Sequence, residues 1–455
     1  MNVHFIAIGG SAMHSLAVAL HQKGYTVSGS DDEIFEPSKS RLESCGILPP
    51  ATGWFPAKIS TKLDAVILGM HAKADNPELL EAMRLGLKIY SYPEFLYEQS
   101  KNKKRVVIAG SHGKTTITAM IMHVLKQNNF DFDYMVGAPV RGFGVMVRIT
   151  AGADIMVFEG DEYLTSPIDP RPKFHLYKPH IALISGIAWD HINVFPTYDI
   201  YQEQFSKFIG MIIPDGVLVY CSEDQELESM IKEKAAGLRC IPYKTCLYVI
   251  KENRCYLSLG GSEMPLNIFG QHNMQNLAGA LAVCRELGVA DDSFYKAIQG
   301  FQGAAKRLQL LKEKGDSAVY LDFAHAPSKL TATVKAVKQH NPERKLVACM
   351  ELHTYSSLNV AFLQQYRGAM EQADLAVVYY NPHTLALKRL PEITPEDVKN
   401  AFGHGNMMVF NDSSEMLRFL LSNGWEGSNL LLMSSGNFDG LDPVSIADSI
   451  LGEQM

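Results

Sequence analysis

VVIAGSHGKTTITAM, residues 106–120, decides how the rest of the chain is read. A short apolar run of strand length meets a glycine turn, a Lys-Thr pair follows, and the stretch continues with helical character. A phosphate-binding loop of the G-x-x-x-x-G-K-[ST] type has this layout. Its backbone N–H groups wrap an anion at a helix N-terminus while its lysine reaches the outer oxygens. Ile108 stands where that pattern has its first glycine, and Gly110 comes two residues later. The other parts are present: Gly113 for close backbone approach, Lys114 for the phosphate and Thr115 as a Mg²⁺ ligand. Taken alone, the stretch fits equally a glycine-rich strand–helix turn with an incidental lysine.

Working outward, the chain has 455 residues, more than one hydrophobic core serves, so several domains are expected. Hydrophobic residues make up 47% and charged residues 20%, the balance of a globular protein. A net charge of −7 argues against sequence-independent nucleic-acid binding, which needs a basic surface to displace counterions. The opening MNVHFIAIGG lacks the basic and long apolar regions of a signal peptide, and no apolar run is long enough to span a bilayer. The seven cysteines are odd in number and form no C-x-x-C pair, as reduced thiols would. A cytoplasmic, multidomain α/β protein is expected, with no nucleic-acid partner and no membrane association.

Short β-rich runs alternate with helical patterns almost throughout, the signature of βαβ units and parallel sheets. VHFIAIG, TVSGSD, AVILGM and KIYSYP read as strands before residue 100, and VVIAG restarts the pattern after the basic break KNKKR (101–105). DIMVFEG, HIALISG and GVLVY follow, then shorter strands over 240–270 and the helix NMQNLAGALAVCRELG. A third α/β unit opens near Arg307, with AVYLDFAH, KLVACMEL, LAVVYY, MMVFND and NLLLMSSG as strands. Domains are therefore expected at 1–103, 104–306 and 307–455.

Other stretches carry chemistry. IAIGGSAMHSLAVALHQKGYTVSGSD (6–31) partly matches a dinucleotide-binding turn, with Ala7 and Ala12 replacing two glycines. VFEGDEYLTS ends an apolar strand on Glu159, Asp161 and Glu162, acids that could equally cap a following helix. GIAWDHINVF places His191 after another strand. FGQHNMQNLAGALAV, FQGAAKRLQ and LDFAHAPS complete the set.

Together, GSHGKTT and these stretches resemble, in order and over nearly the whole chain, the motifs of the Mur ligase family, which makes amide bonds in bacterial cell-wall precursors. The resemblance implies three domains: a Rossmann-like N-terminal domain, a P-loop central ATPase domain and a Rossmann-like C-terminal domain. It also implies residue roles. Gly9, Gly10, Ser11, Ala12 and Met13 would receive the diphosphate of UDP-N-acetylmuramate, with Ser30 and Asp31 in the uridine region and Gly69 and His71 on a second loop. Gly110, Ser111, His112, Gly113, Lys114, Thr115 and Thr116 would hold the phosphates of ATP. Glu159 would ligate one Mg²⁺ and His191 a second; Mg²⁺ prefers oxygen, so Mn²⁺ suits the histidine better. His272, Asn273 and Asn276 would border the adenine, whose edge amides can read. Arg307 would sit at the junction to the C-terminal domain, Asp322 on the ribose and His325 in the closed site.

Within the family, the muramate-binding members add either L-alanine or a recycled tripeptide, L-alanyl-γ-D-glutamyl-meso-diaminopimelate. DEYLTSPIDPRPKFHLYKPHIALI (161–184) resembles the tripeptide-adding members, which carry extra sequence here; Arg171 and Lys173 within it could place an anionic peptide, and a plain surface loop fits them equally. MELHTYSSLN departs from that pattern, with His353 where those members have an arginine. Lys207 lies close to a position carbamylated in some members, but this branch is not expected to use one. The implied reaction is ATP-dependent: the lactyl carboxylate takes the γ-phosphoryl group and the resulting acyl phosphate is attacked by the peptide amine. The competing class, an NAD-linked oxidoreductase, leaves GKTT and HNxxN unexplained.

Overall fold

The computed structural model describes residues 1–452, so the last three residues of the expected C-terminal domain lie outside the described residues. The fold is α/β with parallel sheets, as expected. Two compact units are distinguished: Met1–Ile187 with Asp199–Lys244 and Gly279–Ala297, and the remainder, comprising Ala188–Tyr198, Thr245–Ala278 and the chain from Ile298 onward.

The first unit holds two parallel sheets. Strands β1 (Asn2–Ile6), β2 (Thr26–Ser30), β3 (Ala65–Leu68) and β4 (Ile89–Ser91) pair in the order β2-β1-β3-β4. The apolar run at the N-terminus is β1, buried from Val3 to Ile6 because strands and helices cover both its sides. Ile6, Val66, Leu68 and Leu79 belong to one apolar cluster that joins this sheet to the helix Pro77–Arg84.

The second sheet is built from β5 (Lys104–Ala109), β6 (Phe132–Met135), β7 (Val147–Arg148), β8 (Ile155–Glu159), β11 (Ile181–Ile184), β12 (Val217–Cys221) and β13 (Arg239–Tyr243); β9 (Leu164–Ser166) and β10 (Asp169–Pro172) form a separate antiparallel hairpin. The sheet order is β13-β12-β11-β5-β8-β6-β7, parallel except at β7. Strand β5 is central, flanked by β11 and β8. The loop that follows it therefore opens at the carboxyl end of the sheet, where parallel sheets collect ligands.

In the second unit β14 (Tyr248–Lys251), β15 (Arg254–Leu259) and β16 (Ser262–Leu266) form an antiparallel meander. Strands β17 (Gln309–Lys314), β18 (Ser317–Asp322), β19 (Lys345–Leu352), β20 (Leu375–Tyr380), β21 (Met407–Phe410) and β22 (Ser428–Met433) order as β17-β18-β22-β19-β20-β21. All pairs are parallel except β17–β18. Sequence periodicity does not reveal β17: as an edge strand its residues are half-buried or exposed and mix charge with leucine.

Two residues of the basic break 101–105, Lys103 and Arg105, are tied into the fold, while Lys101, Asn102 and Lys104 are exposed. Lys103 Nζ donates to Asp133 Oδ2 at 2.6 Å and to the carbonyls of Thr150 and Ala153 at 2.8 Å each. The buried Arg105 guanidinium reaches five carbonyls: Ser100, Lys101 and Lys103 on the segment before β5, and Tyr177 and Lys178 on the segment before β11. One side chain thus ties the helix Tyr92–Ser100 to the larger sheet. Arg105→Leu strips these acceptors of their donor and is expected to lower the free energy of unfolding by about 3 kcal/mol or more. Chemical denaturation followed by circular dichroism reads the loss; a change below about 0.5 kcal/mol would mean water replaces the guanidinium without cost.

Candidate functional site

At the end of β5 the chain turns with φ +121° at Gly110, where a Cβ would lie 2.2 Å from Ser185 Oγ. Only glycine passes there. Ser111 N–H then donates to Gly186 O at 2.9 Å, and Ser185 Oγ donates to His112 O, so the segment after β11 braces the loop from one side. Gly113, at φ +74°, precedes the helix Lys114–Gln127, whose first N–H groups receive no side-chain cap. Open N–H groups at a helix start favour an anion. Thr116 is buried in the first turn.

Lys114 Nζ donates to Gly110 O at 2.7 Å and pairs with Glu162 Oε2 at 2.7 Å. Burial pushes the ammonium down, but Glu162, Asp161 and Glu159 outweigh it and hold the group above the ordinary lysine value. On the other side of the loop Thr115 Oγ1 donates to Glu159 Oε1 at 2.8 Å, and Gly137 N–H donates to Glu159 Oε2 at 2.7 Å. A hydroxyl and a carboxylate side by side suit a hard, oxygen-seeking cation. Asp161 instead accepts from Lys173 Nζ at 2.6 Å.

The first sheet carries a second uncapped helix start. Ala7 adopts φ +67°, the conformation a glycine would otherwise supply, and the helix Ser11–Gln22 follows Gly9 and Gly10 without a side-chain cap. Ser11 and Ala12 are exposed and Met13 is buried. Gly9 N–H donates to Asp31 Oδ2 at 2.7 Å; burial, then the neighbouring Asp32, pushes the Asp31 carboxyl up to about 6. Ser30 Oγ accepts from Lys58 Nζ at 3.2 Å. Gly69 N–H donates to Ile6 O at 2.9 Å, which sets the loop after β3 beside the turn, and His71 on that loop is exposed. Arg171 is committed locally, with its guanidinium on both carboxylate oxygens of Asp169 and 3.3 Å from Glu94 Oε1. Lys207 is exposed and pairs with Glu203.

In the second unit Asp190 is buried and accepts from Lys329 Nζ at 2.8 Å and from His191 N–H at 2.8 Å. Burial works against the charge, but Lys329, His191 and His325 hold this carboxyl well below the usual range. His191 itself sits at φ +56° and its carbonyl accepts from the N–H groups of Val194 and Phe195, a tight turn anchored by its neighbour. Burial first, then Lys329, pushes His325 down to about 3, so it is a neutral imidazole; its Nδ1–H donates to Phe323 O at 2.8 Å. His272 is likewise pushed down to about 4 by burial. Asn273 Nδ2 donates to Phe269 O at 2.8 Å, and Asn276 is buried on the next turn. The Arg307 guanidinium lies 4.5 Å over the Phe323 ring. Asp322 is buried, and its carboxylate accepts from the N–H groups of Leu308 at 2.5 Å and Ala324 at 2.6 Å. Half-exposed His353 lies 3.7 Å from Glu351 Oε1, whose carboxylate also accepts from Ser434 Oγ and Phe438 N–H.

Sequence reasoning overlooked Ser185, Lys329 and the pairing of Glu162 with Lys114. Glu162 stood in view within the acid cluster. Ser185 and Lys329 carry no local signal, since each meets its partner from a distant segment.

Three family models match consecutive parts of the chain: "Mur ligase family, catalytic domain" over residues 2–104, "Mur ligase middle domain" over 108–284 and "Mur ligase, glutamate ligase domain" over 306–436. The UDP-N-acetylmuramate–L-alanine ligase of Caldicellulosiruptor bescii is 33% identical over 388 residues, covering 82% of each chain. The UDP-N-acetylmuramate–L-alanyl-γ-D-glutamyl-meso-2,6-diaminoheptandioate ligase of Haemophilus influenzae is 27% identical and covers 97% of each. Among solved structures, the UDP-N-acetylmuramate–alanine ligase of Thermotoga maritima superposes with a TM-score of 0.72 at 20% identity, covering 99% of this chain and 98% of that one.

The Asp190–Lys329 pair makes the site's stability testable. Lys329→Met strands a buried carboxylate and is expected to cost about 3–5 kcal/mol, while Asp190→Asn combined with Lys329→Met recovers much of the loss. Denaturant titration of the four-member cycle measures the coupling; additive losses would show the two groups act independently.

Proposed function

Since the chain belongs to the Mur ligase family, and so is an ATP-dependent ligase that forms amide bonds, we propose that it joins UDP-N-acetylmuramate to the recycled tripeptide L-alanyl-γ-D-glutamyl-meso-diaminopimelate in the cytoplasm. The oxidoreductase alternative is set aside by the family membership. The observation that carries the phosphoryl-transfer reading is the loop at 110–116. There Lys114, held by Gly110 O and Glu162, stands at an uncapped helix start beside the Thr115–Glu159 oxygen pair.

ATP and Mg²⁺ fit this loop, since its glycines leave room for phosphate and its oxygens suit the cation; Thr115 and Glu159 would hold the ion, with His191 assigned to another. Bound Mg²⁺ would neutralise charge on the phosphoryl group during transfer. Lys114 and the loop N–H groups bind the outer oxygens of the γ-phosphate, the part of phosphoryl transfer that a protein chiefly supplies. The Gly9–Met13 turn binds the diphosphate of the sugar nucleotide, with Ser30, Asp31, Gly69 and His71 around it. His272, Asn273, Asn276, Arg307 and Asp322 are assigned to the adenosine and its closure, and His325 and His353 to the acceptor. The lactyl carboxylate attacks the γ-phosphorus of ATP, ADP leaves and an acyl phosphate forms; the alanyl amine then adds to the acyl carbon, loses a proton and expels inorganic phosphate to form the amide.

The tripeptide is favoured by the inserted stretch 161–184, now seen as the hairpin β9–β10 and the segment after it, and by the likeness to the H. influenzae enzyme. L-Alanine as acceptor is the second reading, favoured by the likeness to the C. bescii enzyme. Phosphate release is expected only with UDP-N-acetylmuramate, Mg-ATP and an acceptor amine together, and with the tripeptide far ahead of free L-alanine. Equal turnover of the two acceptors would overturn the tripeptide reading and leave the ligase reading intact.

The metal role of His191 has its own test. His191→Ala is expected to raise the metal concentration needed for half-maximal activity, and Mn²⁺ to support the wild type at least as well as Mg²⁺ when metal is scarce. Unaltered metal dependence in the variant would make His191 an ordinary turn residue.

A further inference from the structure

Of the three acids at and just after the end of β8, only Glu159 is assigned to the metal above, and Glu162 is the most deeply buried of the three. Its surroundings form a ring of contacts. Glu162 Oε2 lies 2.7 Å from Lys114 Nζ, which also donates to Gly110 O. Glu162 Oε1 lies 3.4 Å from the Tyr201 hydroxyl, and that hydroxyl is 2.9 Å from Ser111 Oγ on the loop itself. Tyr201 comes from the helix Tyr198–Ile209 and is fully buried, its ring packed edge-on against Phe205. The ring thus starts and ends on the phosphate loop, passing through one lysine, one carboxylate and one phenol.

We propose that Glu162 and Tyr201 are positioning residues for phosphoryl transfer: Tyr201 sets the Glu162 carboxylate, and Glu162 holds the Lys114 ammonium in place at the loop. The inference rests on the reading of this loop as the ATP site. An ammonium has three N–H groups. One of Lys114's donates to Gly110 O, and the ion pair with Glu162 holds the ammonium from a second side, which narrows the directions left to it for an incoming phosphoryl oxygen. A lysine on four rotatable carbons would otherwise sample many directions, and misplacing a catalytic group by about 1 Å can cost about a hundredfold in rate. The carboxylate also competes with the γ-phosphate for the same charge. The ground-state complex is therefore held less tightly than it could be, while the oriented ammonium serves the transition state.

The experiment uses the full chain with Glu162→Gln, Tyr201→Phe and the double variant. It measures kcat and KM for ATP, and the dissociation constants of ADP and of a non-hydrolysable ATP analogue. For Glu162→Gln, kcat is expected to fall by about tenfold to a hundredfold. The analogue should bind more tightly than to wild type, with ADP affinity unchanged, because only the γ-phosphate competes with Glu162. Tyr201→Phe keeps the packing and should lower kcat less, and the double variant should be no slower than Glu162→Gln alone. Wild-type kcat in Glu162→Gln, or a joint loss of kcat, analogue affinity and ADP affinity, would overturn the proposal. Multiplying losses in the double variant would overturn the placing of Tyr201 upstream of Glu162. Failure of the wild-type chain to bind the analogue at all would instead remove the ATP reading beneath both.

Discussion

The backbone of Gly110 runs so close to Ser185 that no side chain fits between them, and much of the site follows from that contact. It presses the loop after the central strand against the segment after β11 and points the chain towards β8, whose last residue is Glu159. Gly113 then completes the turn, and the helix begins with its N–H groups open. A shortened loop, without the usual first glycine, keeps its curvature because a neighbouring strand end supplies the bracing that extra loop residues would otherwise give.

Charge is distributed to match. A chain with net charge −7 might seem ill-suited to polyphosphate substrates, yet its cations stand where the backbone also offers N–H groups. Lys114 lies among three acids and stays firmly protonated, and Lys58 reaches the end of β2 in the sheet that carries the uncapped helix Ser11–Gln22. Elsewhere buried and half-buried cations serve the fold: Lys103 and Arg105 donate to carbonyls, and Lys329 neutralises Asp190.

Legibility in the sequence tracked the range of the interaction. The apolar runs of β1 and β5 could be read directly, because strands covered on both faces must be apolar along their whole length. The glycine loop, the acid cluster and the Asp190–His191 turn were visible as local patterns, and the family resemblance joined them into one reaction. Edge strand β17 and strand β10 of the hairpin were not visible as strands, since half-exposed segments need no alternation strong enough to see, and β9 is only three residues long. Arg171 looked available for an acidic ligand until the structure gave it Asp169 and Glu94, the latter 77 residues earlier. Lys329 meets Asp190 across 139 residues, and nothing in a local window announces such a partner.

The Arg105 guanidinium also bears on how the chain matures as it is made. At about 5–20 residues per second, the ribosome completes the four strands of the first sheet well before Tyr177 and Lys178 emerge. During that interval Arg105 can reach only the nearer carbonyls, those of Ser100, Lys101 and Lys103. Strand β5 must wait for both its neighbours, β8 and β11, and the loop it carries has no Ser185 to lean on until then. The nascent chain therefore exposes a bare, apolar central strand for many residues of synthesis.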